Sequence, residues 1–165
     1  MVRNYAGSNA GTDFRTYYDR GLQSVAGDVW PNPGTWKPQL VVVGLGINDF
    51  STALNANEPW ATTDALVAAY TAAYQGFIDK LRAAYGSGTI IVVSATLLSN
   101  TTLFAQTAQQ IVQDRNNQGD SLVRYWYYDD PSLDRLGCDW HPSVHDDQVI
   151  SGLLNTYIAT LPLSW

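Results

Sequence analysis

Three stretches of the chain are almost continuously apolar, and the longer stretches between them carry apolar residues at every third or fourth position. Leu40-Val41-Val42-Val43-Gly44 shows no polar alternation, the pattern of a strand covered on both faces. Thr89-Ile90-Ile91-Val92-Val93-Ser94 repeats it, and Leu122-Val123-Arg124-Tyr125-Trp126-Tyr127 reads as a third strand. From about Asp64 to Tyr85, the residues Leu66, Tyr70, Ala73, Phe77, Leu81 and Ala84 form one stripe of an amphipathic helix. Thr62 or Thr63 can cap its start, and Gly86 suits its end. A second helix is expected from about Thr102 to Asn117, turning Phe104, Ala108, Ile111 and Val112 inward. The last runs from about Asp147 to Thr160 on Val149, Ile150, Leu153, Leu154, Tyr157 and Ile158. Strands and helices in strict alternation imply parallel pairing through right-handed crossovers, and hence an α/β fold.

The first 38 residues differ, being rich in Gly, Asn, Tyr and Pro without a clear period. They read as an irregular segment with one short helix around Thr16 to Leu22 and a turn-rich connector at Trp30-Pro31-Asn32-Pro33-Gly34. A length of 165 residues suits one domain, and 45% hydrophobic against 15% charged residues marks a folded chain. The net charge of −6 leaves no basic patch for a phosphate backbone, so nucleic acid is not an expected partner. Cys138 is the only cysteine, which excludes an intrachain disulfide and leaves too little sulfur for a thiolate zinc site. No stretch is long enough to span a membrane, and Met1-Val2-Arg3-Asn4-Tyr5 has no signal-peptide pattern.

Candidate chemistry sits after the strands, where parallel sheets bind ligands. Gly46-Ile47-Asn48-Asp49 follows the first strand directly. Asn48 in that position can aim a side-chain amide at an oxygen that becomes negative during ester attack, and losing such a donor typically costs about 3–4 kcal/mol of transition-state stabilisation. Taken alone, the four residues describe an ordinary turn equally well. Asp49 reads as the turn former, its carboxylate accepting from neighbouring N–H groups. Asp139-Trp140-His141-Pro142 lies in the loop before the last helix. There Asp139 can reach Nδ1 of His141 and leave Nε2 free to take a proton, although a surface Asp and His in a proline turn would look the same. His145 has no close acidic partner and reads as structural or surface. A metal site from His141, His145 and Asp146 or Asp147 lacks a convincing third ligand, so no metal is expected.

Together, Val41 to Ser51 and Gly137 to Ser143 resemble the third and fifth sequence blocks of the SGNH (GDSL-type) hydrolases. More narrowly, they resemble carbohydrate esterase family 2, whose members remove acetyl groups from plant polysaccharides. The resemblance implies a three-layer α/β/α, flavodoxin-like parallel sheet and an acyl-serine esterase that needs no cofactor. It assigns His141 as base, Asp139 as its orienting acid where a triad operates, Asn48 as oxyanion donor and Gly46 as the residue shaping that loop. Asp139 and His141 stand one residue apart rather than two, a spacing found in family 2, where some members use a Ser-His pair helped by a backbone carbonyl. Trp140 between them is a candidate sugar platform.

The chain departs from that pattern at its N-terminus. The blocks carrying the Gly-Asp-Ser nucleophile and the oxyanion glycine are not found, and Ser8, Ser24, Ser51, Ser94 and Ser143 do not follow a strand in the right context. The simplest expectation is the C-terminal part of a longer, secreted esterase that lacks its first strands and is inactive alone. Self-association through the open edge at Leu40 to Gly44 would follow. A non-catalytic carbohydrate-binding remnant is the alternative. In both cases the partner is an acetylated carbohydrate.

Overall fold

A computed structural model describes residues 1–7, 13–30, 34–98 and 101–164. Ser8 and the middle of the Trp30 to Gly34 connector lie outside the described residues. Three strands, β1 (Leu40–Val43), β2 (Ile90–Thr96) and β3 (Val123–Tyr128), form one parallel sheet in the order β1-β2-β3. Val43 pairs with Val93, and Ile91 with Val123. The helices are α1 (Phe14–Tyr17), α2 (Ile47–Phe50), α3 (Thr63–Tyr85), α4 (Leu103–Asn117) and α5 (Val144–Ile158).

Alternation along the strands sorts their side chains into two cores. Val41, Val43, Ile91, Val93, Ala95, Val123 and Tyr125 face α3 and α4, which supply Tyr70, Tyr74, Phe77, Ile78, Leu81, Phe104, Ala108 and Ile111. Leu40, Ile90, Val92, Trp126 and Tyr128 face α5, which supplies Ile150, Leu153, Leu154 and Tyr157. Every residue of β2 is buried, as its uninterrupted apolar run requires for a central strand. At the amino ends of the strands, Arg82 donates to both carboxylate oxygens of Asp120 and to the Gly86 and Thr89 carbonyls. That fork ties the turn after α3 to the turn after α4.

Three boundaries differ from expectation for identifiable reasons. The short N-terminal helix starts at Phe14 because the Asp13 side chain caps it, accepting from Arg15 N at 2.9 Å. The segment after β1 closes a single α-helical turn, α2, with Phe50 N donating to Gly46 O at 3.2 Å. Helix α5 begins at Val144, three residues early, because Ser143 and Asp146 make a reciprocal capping box. The second core is also thinner than the first. Helix α5 fully buries no apolar residue, and Val42 on edge strand β1 remains 38% exposed.

Candidate functional site

The loops at the carboxyl end of the sheet carry both motifs, each built by a different local device. At the end of β1, Tyr74 and Tyr70, one turn apart on α3, donate to the Val43 carbonyl at 3.0 Å and the Leu45 carbonyl at 2.7 Å. Burial pushes both hydroxyls well above the usual tyrosine range, so they remain neutral donors. Gly46 comes next with φ 139°, and a Cβ there would stand 2.2 Å from Phe104 Cε2 and 2.5 Å from the Tyr70 hydroxyl oxygen. Only glycine lets the backbone lie this close to the aromatic floor. The chain then turns into α2 with Ile47 and Asn48 on the outside, and Asp49 and Phe50 buried.

Asn48 is exposed, and its side-chain amide makes no hydrogen bond among the described residues. Its donors therefore face solvent rather than a structural acceptor. Asp49 acts as an anchor, but not to its neighbours as the sequence suggested. Its fully buried carboxylate accepts from the main-chain nitrogens of Met1, Val2 (2.7 Å) and Arg3 (2.9 Å).

The histidine loop is built around Gly137. Its N–H donates to the His141 carbonyl at 3.0 Å, and a Cβ on Gly137 would come within 2.4 Å of the Pro142 carbonyl oxygen. Inside that closure a 3-10 turn spans Cys138–Trp140, with Asp139 and Trp140 both left-handed at φ 52° and 62°. The consequence is specific. The Cys138 carbonyl receives the His141 backbone N–H at 3.1 Å and lies 2.9 Å from His141 Nδ1. A carbonyl can only accept, so the contact selects the tautomer of the neutral ring in which Nδ1 carries the proton and Nε2 the lone pair.

Asp139 thus does not fill the orienting position described for it above. Two successive left-handed residues turn the chain so that a carbonyl reaches the ring instead, and the Asp139 carboxylate has no hydrogen bond or ion pair among the described residues. Trp140 is 84% exposed beside His141. His145 Nε2 lies 3.2 Å from the Ser132 carbonyl oxygen, away from the motif, and no group of three metal-ligating side chains occurs among the described residues.

The sequence reading missed Asp146 as part of this loop. Its carboxylate accepts from Ser143 N at 2.9 Å, Asp134 N at 2.7 Å and Arg135 N at 2.8 Å, joining the start of α5 to the segment before Gly137. The signal was present as Ser143-Val144-His145-Asp146, a capping box just ahead of an apolar run. Desolvation would raise the Asp146 carboxyl, but the backbone donors of Ser143, Asp134 and Arg135 and the Ser143 hydroxyl outweigh it and hold the carboxyl below 3.8. A depressed carboxyl contributes stability above its unfolded pKa and loses it as pH falls through the lower folded one. Amide exchange at Asp134 and Arg135 is therefore expected to accelerate as pH drops below about 3.8, after correction for intrinsic rates. In Asp146→Asn that pH dependence should be absent.

None of the described serines hydrogen-bonds the His141 ring. Ser94 is buried with its hydroxyl 3.4 Å from the Val43 carbonyl, Ser143 is committed to its cap, and the buried Ser51 hydroxyl has no hydrogen-bond partner among the described residues.

A parallel sheet carrying a glycine-Asn-Asp turn after one strand and a histidine loop before the last helix defines a domain of the SGNH hydrolase class. No protein-family model matches the chain. It is 36% identical over 158 residues to an acetylxylan esterase/glucomannan deacetylase of Cellvibrio japonicus, covering 96% of this chain and 42% of that protein. A carbohydrate esterase whose active site is described as having divergent catalytic and non-catalytic binding functions superposes with a TM-score of 0.89 at 35% identity, over 98% of this chain and 50% of its own. An active-site mutant of a family two carbohydrate esterase from Clostridium thermocellum superposes with a TM-score of 0.77 at 28% identity, over 95% and 45%. The chain belongs to carbohydrate esterase family 2, and it spans half or less of the length of these relatives.

Proposed function

We propose that this chain contributes the base and an oxyanion donor to an esterase that removes O-acetyl groups from plant polysaccharides. The observation that carries the reading is the preset tautomer of His141, whose Nδ1–H is committed to the Cys138 carbonyl. In the reaction a serine hydroxyl attacks the acetyl carbon as its proton passes to His141 Nε2. The carbonyl oxygen becomes negative and receives a hydrogen bond from the Asn48 amide, with Gly46 setting where that amide stands. Collapse expels the sugar oxygen, which takes the proton back from Nε2, and water then releases acetate by the same steps in reverse roles. The attacking serine in this proposal is not one of those described above, and Asp139 is not required by it. The substrate class follows the names of the relatives, an acetylxylan esterase/glucomannan deacetylase and a cellulase/esterase.

Intact-mass spectrometry after treatment with a fluorophosphonate, beside hydrolysis of an aryl acetate, tests this division of roles. The 165-residue chain is expected to take up no adduct and to give no turnover above buffer. A single adduct on a described serine, lost in His141→Ala, would contradict it.

The exposure of Trp140 supports a second reading, in which the chain binds carbohydrate without chemistry. An indole presented beside the base suits the apolar face of a pyranose. Quenching of tryptophan fluorescence by acetylated xylo-oligosaccharides, abolished in Trp140→Ala, would favour this reading over a purely catalytic role.

A further inference from the structure

Arg3 is 3% exposed and lies 45 positions before Asn48 in the sequence, yet all its guanidinium bonds go to the segment that follows Asn48. Nη1 donates to the Asp49 carbonyl at 3.1 Å and to the Thr52 carbonyl at 2.9 Å. Nη2 donates to the Ala53 carbonyl at 2.9 Å and to Glu58 Oε1 at 2.7 Å, and Nε donates to Glu58 Oε2. Five donors in a fixed plane are thus spent on three carbonyls and one carboxylate. The contact is reciprocal, because the Asp49 carboxylate accepts from Val2 N and Arg3 N. Glu58 in turn accepts from Asn55 N at 3.0 Å and from Asn55 Nδ2 at 2.9 Å, which closes the loop after α2 on itself. The Arg3 guanidinium is the chief cause holding the Glu58 carboxyl below its usual range, so the pair stays charged.

One helical turn has little stiffness of its own. Helix α2 has a single intrahelical bond at its start, Phe50 N to Gly46 O, and the Gly46 N-cap supplies no side chain. Asn48 is nonetheless useful as an oxyanion donor only if its Cα and χ angles are fixed, since a preorganised donor acts without reorganisation in the transition state. Among the described residues Asn48 has no side-chain bond to fix it, so its placement depends on the residues either side. Gly46 and the tyrosines hold it from before, and the Arg3 fork holds it from behind.

We infer that Arg3 is a positioning residue for the oxyanion donor, acting through the carbonyls of Asp49, Thr52 and Ala53 rather than on substrate. The inference rests on the reading of Asn48 given above, but its test does not need turnover. The experiment is NMR on the full chain, with Arg3→Met and Arg3→Lys compared to the parent. Lysine keeps a charge for Glu58 but cannot form the fork. In both variants the Asn48 backbone amide resonance is expected to move toward its unstructured value. Exchange of the Val2, Arg3-position and Phe50 amides should rise about 10-fold or more, while amides of β2 and α3 change by less than about 3-fold. Arg3→Lys is the deciding variant if Arg3→Met does not fold.

Unchanged Asn48 resonances in a folded Arg3→Lys would overturn the inference. So would a loss of protection spread evenly over β2 and α3, which would make Arg3 a general stabiliser. Aryl acetate hydrolysis, measured separately, bears on the function of Asn48 and leaves this outcome untouched.

Discussion

Gly46→Ala is expected to destabilise the domain by about 2–5 kcal/mol, the sum of a left-handed backbone forced on a residue with a Cβ and an overpacked aromatic floor. The backbone part arises because φ at this position is 139°, outside the regions an alanine adopts without strain. The packing part arises because the new methyl would lie 2.2 Å from Phe104 Cε2 and 2.5 Å from the Tyr70 hydroxyl oxygen. Neither ring can step aside easily. Tyr70 is fully buried and tethered to the Leu45 carbonyl, and Phe104 is 1% exposed with Phe50 stacked on it at 5.8 Å. If the loop moves instead, Asn48 moves with it. Thermal denaturation should show a midpoint lower by about 5–15 °C. A midpoint within a degree of the parent would mean that the floor beneath Gly46 is looser than described.

Phe104→Ala is expected to cost about 3–5 kcal/mol by itself, as a buried aromatic ring exchanged for a cavity. Phe104 sits on α4 between Phe50 of α2 and the backbone of Gly46, so the cavity opens directly beneath the turn that carries Asn48. The two substitutions should not be additive, because the ring removed in one is the obstacle created in the other. We expect the double variant to be more stable than the sum of single effects by about 1–2 kcal/mol. Relief stays partial because the Tyr70 hydroxyl remains. Strict additivity in urea denaturation would show that Gly46 is required for its backbone angle alone.

The framework was legible because periodicity reports burial directly. The uninterrupted apolar run of β2 could only suit a strand covered on both faces, and Tyr70, Phe77 and Leu81 of the expected α3 stripe share its core. Helix α5 starts three residues before the expected Asp147 because a side-chain cap, not the apolar period, fixes its first turn. The site was legible as residue types but not as hydrogen bonds. The Asp139 and His141 spacing suggested a carboxylate on Nδ1, whereas two left-handed residues in succession substitute the Cys138 carbonyl, a group every residue carries and no sequence pattern marks. Arg3 could not be found either. Its partners lie 46 to 55 positions away, and nothing local distinguishes a buried guanidinium from a surface one. Asp146, by contrast, is marked in the sequence by its capping box with Ser143.

The proposal depends most on His141 being preset as a proton acceptor at Nε2. Nitrogen-15 NMR of the two ring nitrogens, recorded on the neutral imidazole in the intact chain, reads that state directly. The account predicts a protonated Nδ1 and an unprotonated Nε2, held by the Cys138 carbonyl at 2.9 Å. A ring in the opposite tautomer, or one averaging between the two as a free histidine does, would contradict it and leave this loop without a base.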